Sequence, residues 1–221
     1  TTKAAVDYEA VARKTIARIG YTAPDRGFDA DNCSVRVDLH AQSPDIAMGI
    51  TRKFDSSSLD SGAGDQGMMF GFACTETDNL MPLPIELAHT LSKRLEKVRR
   101  TEELPYLLPD GKTQVTVEYE NDMPKRIATV IVSAQHREQV DIEMLREDIT
   151  EHIVYPALPQ SLVDDDLQLF INPTGRFVIG GPACDSGLTG RKLIADTYGG
   201  YARHGGGAFS GEPSVRFAEH V

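Results

Sequence analysis

The sequence predicts an α+β protein, with helices packed on one face of a mostly antiparallel or mixed sheet. Three observations predict it. Gln114–Tyr119 alternates, with Val115, Val117 and Tyr119 on one side, and Asn121-Asp122 separates it from an apolar run at Ile127–Ser133, so the two form a hairpin. Asp141 then caps a helix bearing Ile142, Leu145, Ile149 and Ile153, which Pro156 stops. Leu167–Ile171 follows as another short strand.

The other elements follow in chain order. Asp7 caps a helix running to about Ile19, with Val6, Val11, Ala12, Ile16 and Ile19 as its apolar set, and Gly20 ends it in a left-handed turn. Residues 24–31 read as a turn, and Ser34–His40 alternates through Val35, Val37 and Leu39 as a half-buried strand. Residues 51–64 are polar, rich in Ser and Gly and without periodicity, which predicts a mobile loop. Met68–Ala73 reads as a strand. Pro84 starts a helix with Leu87, Ala88, Leu91, Leu95 and Val98 on one face, and Lys97, Arg99 and Arg100 suit the negative end of its dipole.

Composition excludes several functions. The 221 residues carry a net charge of −10, so a general nucleic-acid coat or an anionic membrane surface is disfavoured as a partner. No stretch approaches the roughly 20 apolar residues needed to span a bilayer. The cysteines, Cys33, Cys74 and Cys184, match neither a disulfide framework nor a zinc knuckle. The expectation is a cytoplasmic protein.

Four stretches combine Gly with charge. Gly62–Gly67 lacks the Lys and Ser/Thr of a phosphate loop, and reads either as a structural turn or as one carrying Asp65 to a ligand. Asp110-Gly111-Lys112 lies before a strand, where it suits a ribose or cation and a phosphate, or an ordinary turn with an ion pair. In Ile171–Pro182, Phe177 beside Arg176 suits a stacked purine and an anion, or a core ring and a solvated cation. The last runs from Cys184 to Gly211. Residues 180–211 include ten glycines together with Leu188, Leu193, Ile194, Tyr198, Tyr201 and Phe209, and Phe177 and Ile179 lie just upstream, so rigid turns near a ligand fit better than a linker. Arg191 and Lys192 are adjacent cations suited to clamping a polyanion, and Asp185 lies six residues before Arg191. His204 reads as structural. Cations clustered at glycine turns in an acidic chain suit a polyphosphate whose charge is met partly by metal ions.

These residues resemble a known family. GAGDQGMMFGFACTET (62–77) and GGGAFSG (205–211) are similar to the two signatures of S-adenosylmethionine synthetases, also called methionine adenosyltransferases. QSPDI (42–46), PDGKTQVT (109–116), NPTGRFVIGGP (172–182), GLTGRK, DTYGG and ARHGGG resemble further family segments, in the family's order. The resemblance covers nearly all of residues 1–211. It implies three intertwined, similar α+β repeats of mixed sheet with helices on one face, incomplete here. Residues 1–48 would be the remainder of the N-terminal region, 49–61 a mobile active-site loop, 62–179 the central region and 180–221 the start of the C-terminal region, divergent after 211.

The resemblance also implies a reaction. Methionine sulfur attacks C5′ of ATP, displacing triphosphate, which is hydrolysed to pyrophosphate and phosphate. Family members use Mg²⁺ and K⁺ and form dimers or dimers of dimers with sites between subunits. Carried over, Asp110, Gly111 and Lys112 match nucleotide-binding positions, as do Arg176, Phe177 and, with its backbone, Ala208. Asp65 lies next to the nucleoside. Asp185 matches a residue touching both methionine and nucleotide, and Gln42 a methionine contact. Arg191 and Lys192 match the triphosphate clamp, so Lys112, Arg191 and Lys192 are the expected catalytic cations. No metal ligand matches. The family extends further at both ends, and its N-terminal segment carries a His-Pro-Asp-Lys motif, so this chain is expected to be part of a longer enzyme rather than a divergent short relative. Glu212 stands where a phosphate-binding Lys is expected. Two other readings stay open: a catalytically incomplete nucleotide-binding fragment or regulatory or assembly subunit of the family, and a phosphohydrolase acting on triphosphate.

Overall fold

A computed structural model describes residues 5–41, 70–188 and 190–206. They fall into two compact units. One takes its residues from 1–11, 35–72 and 187–221, the other from 12–34 and 73–186.

The second unit holds the sheet. β1 (Leu107–Glu120) and β2 (Met123–His136) form an antiparallel hairpin, and β3 (Gln168–Ile171) joins β2 in parallel, giving the order β1-β2-β3. The predicted hairpin is present and longer at both ends. Asn121 and Asp122 both adopt left-handed backbone, φ 53° and 62°, the two-residue turn whose twist matches that of the strands. The register sets Val115 against Val130 and Lys112 against Ser133.

Helix α2 (Leu83–Arg100) covers one face of this sheet. Leu87, Leu91 and Val98 are buried against Val115, Val130 and Val132, as their spacing predicts, and each fully buried aliphatic side chain contributes about 1.5–3 kcal/mol. Its first turn has no capping side chain of its own. Glu76 supplies one, accepting from the Leu83 amide (2.9 Å) and the Tyr119 hydroxyl (2.7 Å).

Helix α3 (Ile142–Ile149) starts at Asp141, whose Oδ1 accepts from the amides of Glu143 and Met144 at 3.0 Å. Leu145, Ile149 and Ile153 are fully buried. The expected single helix is not regular to its end. Residues Thr150–Val154 widen into a π turn before a last turn at Tyr155–Ala157. The cause is Pro156, which has no N–H to give His152 and whose ring crowds that carbonyl.

Helix α1 (Tyr8–Ile19) begins as predicted, with Asp7 Oδ1 accepting from the Ala10 amide (3.0 Å). It stops at Gly20, φ 120°. Its last carbonyls are met by arginines: Arg100 donates to Arg18 O (2.7 Å), Arg99 to Ile19 O (2.8 Å) and Arg26 to Gly20 O. Cations at the negative end of a helix are the favourable arrangement.

Three sequence expectations need correction. Ser34–His40 forms no strand, and Val37 and Leu39 are exposed. Alternation describes two faces, but a strand also needs a neighbour for its backbone, and none pairs with it among the described residues. Phe70–Ala73 is likewise not a strand, while Met68 and Met69 lie outside the described residues. Ile179, Leu188, Ile194 and Tyr201, expected to face a core or stack, are exposed, though Tyr201 does pack on Phe72. The loop at 51–64 and Phe209 lie outside the described residues.

Candidate functional site

The end of β2 builds the site with side chains. β3 stops at Ile171, opposite Val132, four residues before β2 runs out at His136. Asn172 takes over the pairing: its own amide donates to Val132 O (2.8 Å), its Oδ1 accepts from Ala134 N (2.8 Å) and its Nδ2 donates to Ala134 O (3.0 Å). Gln135 Nε2 then donates to Val178 O (2.9 Å), while its Oε1 accepts from Asp110 N (3.2 Å). His136 completes the series. Its amide donates to Phe177 O (2.9 Å), and its Nε2 accepts from Phe177 N (3.1 Å). An accepting Nε2 leaves the proton on Nδ1, which lies 2.9 Å from Arg137 O as its donor. Asn172, Gln135 and His136 are each almost fully buried, as satisfied polar groups can be.

This frame holds the loop that follows Phe177 against β1. Asp110 Oδ2 accepts from Gly181 N (2.8 Å). Gly180 is a close-approach glycine: a Cβ there would lie 2.9 Å from Gln135 Cδ, 2.9 Å from a Phe177 ring carbon and 3.0 Å from Asp110 Oδ2. Gly181 is left-handed, φ 59°, and a Cβ would fall 1.8 Å from the Tyr21 hydroxyl oxygen. Tyr21 is buried, and burial, followed by the Asp110 charge, pushes its hydroxyl pKa up. A cavity of about 270 Å³ opens beside Gly180, flanked by Asp25, Arg26, Arg137 and Glu138, with Arg137 paired to Asp25 at 2.9 Å.

The second unit therefore brings Asp110, Phe177 and the Gly180–Gly181 turn together. Gly111 and Lys112 continue β1. Gly111 faces α2, where a Cβ would lie 2.6 Å from Leu95 Cδ2, and strand alternation puts Lys112 on the opposite, open face. Lys112 has no ion-pair partner among the described residues. Arg176 is exposed and paired with Glu138. Asp185 is exposed just past the turn, its amide bonded to Gly181 O (3.1 Å) and its Oδ1 to Ser186 N (2.8 Å).

The first unit holds Arg191 and Lys192, both exposed, before the four-residue helix α4 (Leu193–Asp196). In the same unit Phe72 packs edge-on to Tyr198 (5.8 Å between ring centres) and tilted against Tyr201 (5.5 Å). His204 accepts from Gly206 N (3.1 Å), in keeping with a structural histidine. Gln42, Asp65 and Ala208 lie outside the described residues, as does Glu212.

Sequence reading missed Tyr21, Gln135, His136 and Asn172. The available signal was Gln135-His136 directly continuing an apolar strand with no turn residue between. Among the described residues no group of three or more His, Cys, Asp or Glu side chains is placed to hold a metal ion. No helix among them is long and apolar enough to cross a membrane.

Models of the S-adenosylmethionine synthetase N-terminal, central and C-terminal domains match residues 1–44, 60–177 and 179–217. The central match alone takes in more than half of the chain. The chain belongs to the S-adenosylmethionine synthetase family. A protein named S-adenosylmethionine synthase, from Clostridium botulinum (strain Alaska E43 / Type E3), is 55% identical over 222 residues, covering 98% of this chain and 57% of that relative. The chain thus spans a little over half of that relative's length. The family's three matched regions all reach the cluster described above. Tyr21 comes from the N-terminal match, Asp110, Gln135, His136 and Phe177 from the central one, and Gly180 and Gly181 from the C-terminal one.

Proposed function

We propose that the full-length protein containing this chain makes S-adenosylmethionine from ATP and L-methionine. The observation that carries the reading is the convergence of all three family regions on Asp110, Phe177 and the Gly180–Gly181 turn. Methionine sulfur forms a bond to C5′ of ATP as the bond from C5′ to the triphosphate oxygen breaks, and the triphosphate leaves with the electron pair. A thioether needs no deprotonation, so no general base is required. The protein lowers the barrier by aligning sulfur with C5′ and by meeting the charge that grows on the leaving group.

In this reading adenine stacks on Phe177, held by the frame at the end of β2. Arg176 exchanges Glu138 for the nucleotide, at little cost because an exposed ion pair is worth under about 1 kcal/mol. Lys112, Arg191 and Lys192 take the triphosphate charge. Asp185 lies between methionine and nucleotide, Gln42 meets methionine, and Asp65 and the Ala208 backbone meet the nucleoside. Mg²⁺ and K⁺, a cytoplasmic location, and assembly into dimers or dimers of dimers belong to the same proposal, as does the division at residues 48, 61 and 179.

The test is mass detection of S-adenosylmethionine after incubating full-length protein with ATP, methionine, Mg²⁺ and K⁺. Product is expected, and its absence from verified full-length protein defeats the reading. A second reading, a catalytically incomplete nucleotide-binding subunit of the family, rests on Glu212, an acid where a phosphate-binding Lys is expected. ATP binding without product favours it.

A further inference from the structure

We propose that His136 is a positioning residue for the nucleotide, acting through Phe177; the inference rests on the function proposed above. His136 grips one peptide unit from both sides. Its backbone N–H holds Phe177 O at 2.9 Å, and its ring Nε2 holds Phe177 N at 3.1 Å. The ring is itself fixed, because Nδ1–H is tied to Arg137 O at 2.9 Å, so the imidazole cannot flip without losing both bonds. Gln135 repeats the device one residue along, holding Val178 O.

The grip matters because nothing else in the strand order supplies it. β3 ends at Ile171, and the chain from Gly175 to Gly180 pairs in no strand. The side chain of Phe177 is only half-buried, so its direction is set by its backbone more than by packing. Removing the ring acceptor leaves the Phe177 N–H without its partner and frees the peptide to turn. The Phe177 ring then samples directions that present no stacking face to a purine, and a bound nucleotide must restore order that the free protein lacks.

Variant chemistry separates positioning from bulk stability. Gln in place of His puts an amide oxygen near the position of Nε2, whereas Asn puts its oxygen near Nδ1, one bond short of Phe177 N. The experiment measures ATP and methionine dissociation constants by calorimetry on the full-length protein and on His136→Gln, His136→Asn and His136→Leu, with thermal unfolding run alongside. The expected result is ATP affinity within about threefold of wild type for His136→Gln and at least about tenfold weaker for His136→Asn and His136→Leu. The Gln–Asn comparison decides the matter even where His136→Leu does not fold. Methionine affinity, measured with saturating ATP, should change much less than that for ATP. Equal ATP affinity in the Gln and Asn variants overturns the positioning role while leaving the function intact. Wild-type protein that binds no ATP overturns the function and this inference with it.

Discussion

Arg94 donates its Nε–H to the carbonyl of His152 at 2.7 Å, and that carbonyl is the one Pro156 leaves without a helical donor. The same guanidinium reaches Glu103 at 3.2 Å, and Glu103 in turn meets His152 Nδ1 at 2.9 Å. A side chain on α2 thus repairs a helix broken by proline, and in doing so ties the two helical segments together. Arg94→Ala should destabilise the fold by about 1–3 kcal/mol, the usual cost of stranding a hydrogen-bonding group, read by urea unfolding. In the Pro156→Ala background, which restores an amide at that position, the cost of Arg94→Ala should shrink. Strictly additive costs in the double-mutant cycle would contradict the repair.

Two left-handed glycines should respond differently to a methyl group. Gly175, φ 88°, has nothing within 4 Å of a Cβ, so Gly175→Ala should cost only the backbone penalty of about 1 kcal/mol. Gly181→Ala drives a Cβ to 1.8 Å from the Tyr21 oxygen and 2.7 Å from its ring carbon. It should destabilise clearly more than Gly175→Ala and abolish ATP binding. Similar melting temperatures for the two variants would mean the turn can open without loss.

Stability should fall at both ends of the pH scale for identifiable reasons. Asn32 amide donors, backbone first and then side chain, hold the Asp29 carboxyl below its ordinary range. A depressed carboxyl stabilises above its unfolded pKa of about 3.9 and loses that contribution as the pH falls through its folded value. Asp29→Asn should therefore flatten the acid limb of a stability profile below about pH 4. Burial, and then a hydrogen bond to Asp148, push the Tyr106 hydroxyl well up. A raised pKa stabilises below the unfolded value of about 10 and is lost as the pH rises. Tyr106→Phe should flatten the alkaline limb, and an unchanged limb would show that another group governs it.

Lys192 offers the sharpest test of the proposed chemistry. If it acts on charge developing on the triphosphate, Lys192→Ala in the full-length enzyme lowers kcat more than it raises the apparent dissociation constant for ATP. An unchanged turnover number would remove Lys192 from that role.

Much of the fold could be read from residue patterns. The hairpin, the apolar face of α2 and the Asp141 cap are local signals, and each is carried by side chains close in sequence. The π turn was half-visible: Pro156 announced a break, but the rescue by Arg94 joins residues 58 positions apart, which no local pattern encodes. Ser34–His40 misled because alternation records polarity and not the presence of a neighbouring strand. At the site, charge and glycine marked Asp110, Arg176 and Phe177. Gln135 and His136 showed only as polar residues continuing an apolar strand, since their work lies in hydrogen bonds to a segment some 40 residues on.

The way β2 ends also bears on aggregation. A strand that outruns its neighbour bares amides and carbonyls that another chain can use as a template for growth. Here Asn172 claims both backbone groups of Ala134, and Phe177 takes the amide of His136. The overhang is closed by the Asn172 side chain and the Phe177 backbone of the same molecule before a foreign strand can dock, so this stretch of apolar sequence is guarded against fibre formation without being shortened.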